Sequence, residues 1–149
     1  DANLAGECLR LEITENAIME NTEAATQSIR TLQKLGIEVQ LDDFGTGYSS
    51  LTHLLKLPVN ALKIDRSFVQ QIGLRNGNTE IIQTIIGLAH DLNMKAFAEG
   101  IETENQLEIL RSMYCDFGQG FLLSIPLRAE EAEKLIVQKR FETKSTHLR

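Results

Sequence analysis

Charged side chains collect where short apolar runs end. Glu12 and Glu15 sit in "LEITE" (11–15), Asp42 and Asp43 close "VQLDD" (39–43), and Lys63 and Asp65 belong to "LKID" (62–65). Glu99 and Glu102 flank the glycine of "AEGIE" (98–102), and Gln119 lies between the glycines of "GQG" (118–120). Carboxylates about 4 Å apart repel by roughly 1 kcal/mol per pair in water and several-fold more when partly buried. Such a set must take up protons or hold cations. Oxygen donors without His or Cys favour hard divalent ions, Mg²⁺ or Mn²⁺. Adjacent aspartates at one strand end could serve two such ions, which together clamp the attacking and leaving oxygens of a phosphoryl displacement. Each residue alone has a plainer reading. Glu12 fits an edge charge, Glu15 a helix N-terminal acid, Asp42-Asp43 a turn or cap, Lys63 a surface lysine, Glu99 a loop acid and Gln119 a tight turn. What argues for a site is that all of them fall at strand ends.

The elements that must position these groups alternate. Strands are expected at 8–14, 37–44, 61–65, 94–100 and 116–123, the last interrupted by glycine. Helices are expected at 22–36, 49–57, 78–93, 103–113 and 128–140. In the first of them Ala25, Ile29, Leu32 and Leu35 recur at spacings of three and four. Thr22 suits its start, Gly36 its C-terminal cap, and Asn78 the cap of the third helix. Pro58 stops the second. About five β-α units in succession give an α/β fold with a parallel sheet, either doubly wound or part of a β/α barrel. A complete eight-unit barrel takes about 250 residues, so the barrel alternative is an incomplete one. Both architectures put sites at the carboxyl ends of their strands. The glycines at 45 and 47 allow a tight loop that could close over a ligand. The domain is expected to span residues 1–140, with residues 141–149 a flexible tail.

Composition narrows the function classes. The net charge is −6 with no Lys/Arg stripe, so a nucleic-acid polymer is not an expected partner. No apolar run approaches a membrane span, and nothing resembles a secretion signal, so a cytoplasmic location is expected. Cys8 and Cys115 have neither metal-ligand spacing nor a disulfide framework, and read as buried reduced thiols. His53, His90 and His147 are scattered and are not placed as catalytic.

"LEITE", "DDFGTGYSSL", "LKID", "AEGIE" and "GQGF" occur in an order and at spacings that resemble the EAL domain, the cyclic di-GMP phosphodiesterase of bacterial signalling. The resemblance runs from about Leu9 to about Leu127. It implies a TIM-type (β/α) barrel, of which this chain holds about five C-terminal units. It also implies hydrolysis of cyclic di-GMP to linear pGpG with two Mg²⁺ or Mn²⁺ ions. Carried over residue by residue, Glu12, Asp42 and Asp43 resemble metal ligands, Asp42 the bridging one. Glu99 resembles a ligand or water-activating acid. Lys63 resembles the group that orients the attacking water and steadies phosphate charge, and Gln119 a polar group beside it. Glu15 resembles the acid that holds the "FGTGYSS" loop, and Glu102 a support behind the ligands. Two departures stand out. The Glu-Ala-Leu segment with its metal-binding Glu, and a metal-binding Asn from the next strand, do not occur here, so roughly three strands are missing. Ile125 stands where a basic residue commonly precedes the family's Pro. The expectation is a phosphodiesterase whose present segment is inactive alone and forms a homodimer or otherwise self-associates through its open barrel side. Upstream sensory or GGDEF-type domains are expected in the parent chain.

Two other classes compete. A non-catalytic cyclic di-GMP receptor or scaffold would share the fold, but degenerate domains of that kind lose ligands, and every ligand that can be checked is present. A phosphoacceptor receiver domain also combines acids, a lysine and Mg²⁺. Its acid pair would follow the first strand and its lysine the last, whereas here they follow the second and third.

Overall fold

The computed structural model describes residues 4–45, 54–74 and 77–137. Five strands, β1 (Arg10–Thr14), β2 (Glu38–Phe44), β3 (Ala61–Ile64), β4 (Lys95–Ala98) and β5 (Phe117–Gly118), form one sheet in chain order, and every neighbouring pair is parallel. The helices described are α1 (Glu15–Glu20), α2 (Thr22–Lys34), α3 (Arg66–Val69), α4 (Thr79–Asp91), α5 (Glu104–Ser112) and α6 (Ala129–Val137). Parallel neighbours need crossovers, and the helices supply them.

The sheet is strongly curled. The Arg10 guanidinium on β1 lies 5.6 Å from the ring centroid of Phe117 on β5. In a flat sheet these two outer strands would be separated by four strand spacings, about 19 Å. The open sheet therefore already bends like a barrel wall. The main core lies between the sheet and its helices: Val39, Leu41, Leu62, Ile64, Ala96 and Ala98 pack there with Ile29, Ile82, Ile86 and Leu110. Side chains alternate along a strand, so Lys63, between Leu62 and Ile64, turns to the opposite, concave face. All four β3 residues are buried, as expected of a strand flanked on both sides.

Local chemistry sets the helix ends. Asn21, rather than Thr22, caps α2, its side-chain oxygen accepting from the Ala24 N–H at 3.0 Å. Gly36, at φ 80°, follows the helix as its left-handed stop. Asn78 precedes α4 but makes no side-chain cap bond. Thr103 and Gln106 form a reciprocal capping box on α5. Helices α1 and α3 are too short to show in apolar periodicity. The fifth strand is much shorter than the expected 116–123, because the chain turns at Gly120, whose carbonyl accepts from the Leu123 and Ser124 N–H groups. Cys115 is buried as expected, but Cys8 is exposed, in the 3-10 turn that precedes β1. The first part of the expected 49–57 helix, Gly47, His53, the end of the last helix, the tail and His147 lie outside the described residues. Among the described residues, no helix is long and apolar enough to cross a membrane.

Candidate active site

Lys63 is the centre of the concave face. Its ammonium donates to Glu99 Oε1 at 2.5 Å, Glu12 Oε1 at 2.6 Å and Asp42 Oδ1 at 3.0 Å. An ammonium has three N–H donors, so each carboxylate takes one and none is left over. The three acids come from β1, β2 and the end of β4, and the lysine from β3 between them. The Lys63 side chain is only 2% exposed, against 49% for Glu12. Burial alone would lower the lysine's pKa, but its bonds to Glu12, Glu99 and Asp42 outweigh that and hold it well above the ordinary range.

Burial is the largest influence and pushes the Glu99 carboxyl up; the hydrogen bond and charge of Lys63 pull it down, and Asp42 and Glu12 add smaller upward pushes. Gln119, just past β5, donates from Nε2 to Glu99 Oε1 at 2.8 Å and so fixes that carboxylate from a second side.

Asp43 reaches the same rim by an irregularity. Adjacent strand residues face opposite ways, so Asp42 and Asp43 could not share a face in a regular strand. The β2–β3 register shifts between Leu41 and Phe44, and Asp43 takes φ 56°. This is a bulge with a left-handed residue, a conformation that Asp tolerates better than most side chains. The Asp43 N–H donates to Asp42 Oδ1 at 3.1 Å. The Asp43 carboxyl is raised by desolvation, then by Asp42 and Asp65, which puts it in the field of the same acids. Gly45 follows at φ 93°, where a side chain would also press on the Phe68 ring.

The other two acids lie apart from the lysine. Glu15 opens α1 and is buried, with Oε2 lacking a hydrogen-bond partner among the described residues. Glu102 accepts from Arg66 Nη2 at 2.9 Å. Its backbone N–H donates to Gln106 Oε1. Arg66, which no sequence pattern singles out, lines a cavity of about 420 Å³ with Glu99, Glu102, Gln119, Phe121 and Ile125. Its stem lies against Gly100, at φ 70°, where a Cβ would come within 2.4 Å of Arg66 Cγ. Asp65, also at the end of β3, serves as the cap of α3, accepting from the Ser67 N–H and hydroxyl.

The chemistry of this set suits a hard divalent ion. Among the described residues, no three His, Cys, Asp or Glu side chains are arranged as a finished metal cage. Glu12, Asp42 and Glu99 instead point oxygens at one shared cation, the lysine ammonium, which stands in for an ion at their centre. An all-oxygen set from separate strands, already converged on positive charge, fits Mg²⁺ or Mn²⁺.

Comparison with known proteins places the chain. A family model described as the EAL domain matches residues 1–126. The cyclic di-GMP phosphodiesterase NbdA of Pseudomonas aeruginosa is 44% identical over 141 residues, 95% of this chain and 18% of that protein. The solved PaMucR phosphodiesterase, in a c-di-GMP complex, superposes with a TM-score of 0.81 at 41% identity, covering 87% of this chain and 52% of that one. A manganese and c-di-GMP complex of Klebsiella pneumoniae BlrP1 superposes with a TM-score of 0.76 at 29% identity, covering 84% of this chain and 32% of that one. The chain thus spans about half of the PaMucR chain and less of the other two, and its five curled strands are part of a TIM-type barrel. By the family match and the overlap with these solved domains, the chain belongs to the EAL domain family.

Proposed function

We propose that this chain is the C-terminal part of a cyclic di-GMP phosphodiesterase domain, residues 1–140, and carries most of its ionic machinery. The observation that carries the reading is the convergence of Glu12, Asp42 and Glu99 from three strands onto Lys63. The names of NbdA and PaMucR supply the substrate class.

The reaction adds one water across one of the two phosphodiester bonds of cyclic di-GMP. A P–O bond forms to the water oxygen, the P–O3′ bond breaks, and the freed 3′-oxygen takes a proton, leaving linear pGpG. Glu12, Asp42, Asp43 and Glu99 are the residues that would hold two divalent ions. The ions when bound would polarise the phosphate and make water acidic enough to attack. Glu99, its carboxyl pushed up and its orientation fixed by Gln119, is suited to accept the proton of the attacking water. Lys63 supplies fixed positive charge beside the phosphoryl oxygens, where negative charge grows in the transition state. Glu102 keeps Arg66 at the cavity wall. The concave face opposite β1 and β5 is closed by the rest of the domain or by a second copy.

The test is cyclic di-GMP hydrolysis with Mn²⁺ or Mg²⁺, measured as pGpG by chromatography. It is run on this chain and on one extended upstream to complete the barrel. The extended chain is expected to make pGpG, and Asp42→Asn to reduce its turnover by about 10²-fold or more. Binding without turnover by the extended chain would overturn the enzyme reading in favour of a receptor.

A further inference from the structure

We infer that Lys63 is an exchangeable internal counter-ion: it holds the strand-end carboxylates together in the metal-free chain and releases at least one of them when a divalent cation binds. The inference rests on the metal-dependent reading above and deepens it.

The donor count and the crowding of positive charge both point to the exchange. Lys63 spends one N–H on each of Glu12, Asp42 and Glu99, and its side chain is almost wholly buried, so it has no donor free for a phosphate. The same three carboxylates are those that would hold a divalent ion. An ion held by those carboxylates would lie close beside the ammonium, and two positive centres that close repel. Without any cation the acids would repel one another, with Asp43 and Asp65 adding to the field. The ammonium removes that repulsion and keeps the β1, β2 and β4 ends in register with β3. Lys63 is then a positioning residue in the metal-free state, and a phosphate-facing cation only after exchange.

The test replaces Lys63 by a near-isosteric uncharged residue. In the chain extended upstream to complete the barrel, Mn²⁺ binding to wild type and Lys63→Met is measured by electron paramagnetic resonance of the free ion, alongside melting curves with and without Mn²⁺. Lys63→Met is expected to melt lower than wild type without metal, to gain more from Mn²⁺, and to bind Mn²⁺ about tenfold more tightly because a competing positive charge is gone. Should the single variant not fold, Lys63→Met with Glu99→Gln is compared with Glu99→Gln alone, and the same direction of change is expected. Equal or weaker Mn²⁺ binding without the lysine would overturn the exchange and leave the metal-dependent reading standing. No Mn²⁺ uptake by wild type or variant would overturn both.

Discussion

Asp116 offers a strict test of what holds the site's scaffold, because it sits at the other end of the strands from Lys63. Its carboxylate is 2% exposed and ties three elements together. His90, in the last turn of α4, bonds Oδ2 through Nε2 at 2.8 Å. Lys95, the first residue of β4, donates to Oδ1 at 3.1 Å, and the buried Ala96 N–H donates to Oδ2 at 3.1 Å. Asp116→Ala leaves the Ala96 N–H buried and unpaired, which costs about 1–3 kcal/mol. His90 and Lys95 are 36% and 55% exposed, so water replaces much of what they lose. Each of those two pairs adds only about 0.5 kcal/mol. The sum is about 2–4 kcal/mol, a fall in Tm of roughly 5–15 °C for a chain of this size. Asp116→Asn keeps an acceptor for the Ala96 N–H and should lose about half as much.

The pH dependence sharpens the prediction. Burial raises the Asp116 carboxyl, but the Ala96 N–H, His90 and Lys95 together lower it below the ordinary value. A carboxyl depressed in the folded state contributes stability above its unfolded pKa, about 3.9, and loses it as pH falls through the folded value. The gap between wild type and Asp116→Asn should therefore be full at pH 7 and close progressively below about pH 4. Thermal and urea unfolding across this range provide the measurement. A loss below about 0.5 kcal/mol for Asp116→Ala, ordinary for a surface change, would refute the clamp. So would a gap to Asp116→Asn that is the same at pH 7 and pH 3.

Two further outcomes follow from packing and burial. A Cβ at Gly120 would lie 2.1 Å from the Ile101 carbonyl oxygen, and backbone cannot give way as a side chain can. Gly120→Ala should cost about 1–3 kcal/mol and pull Gln119 off Glu99, whereas Gly87→Ala, with nothing within 4 Å of its Cβ on α4, should stabilise by about 0.5–1 kcal/mol; paired melting curves decide this. Burial pushes the Cys115 thiol up to about 12, while Cys8 is exposed, so a disulfide reagent at pH 8 should label Cys8 in the native chain and Cys115 only on unfolding. Mass spectrometry of labelled peptides reads the result.

Much of the fold was legible because β-α alternation is a strong signal over long helices. α2, α4 and α5 fall within a residue or two of their expected starts and ends, with apolar stripes that pack on the sheet. What periodicity could not show was set by single contacts. Gly120 ends β5 early because its lack of a side chain lets the chain press on Ile101. Arg66 carries no pattern at all; it matters because α3 brings its stem over Gly100 and its head to Glu102. Asp116 precedes a strand like many acids do, and only the fold brings His90 and Lys95 to it.

The candidate site shows the same division more sharply. Its members could be picked out as strand-end groups, and Glu12, Asp42, Glu99, Gln119 and Lys63 do meet. The sequence left Lys63 open to a surface reading, because alternation in "LKID" tells which face a side chain takes but not whether that face is covered. The curl of the sheet decides it: the concave side is closed enough to bury the lysine to 2%, and an ammonium buried there must have partners. In a regular strand the adjacent Asp42 and Asp43 would take opposite faces, which conflicts with one shared site. A bulge with a left-handed residue resolves the conflict, and that backbone has no signature in the residue types before it. The placement of the second aspartate therefore depends on local strain as well as on fold. Asp43→Asn removes the charge alone and Asp43→Gly removes charge and strain together, so the difference between their melting temperatures isolates the backbone's contribution.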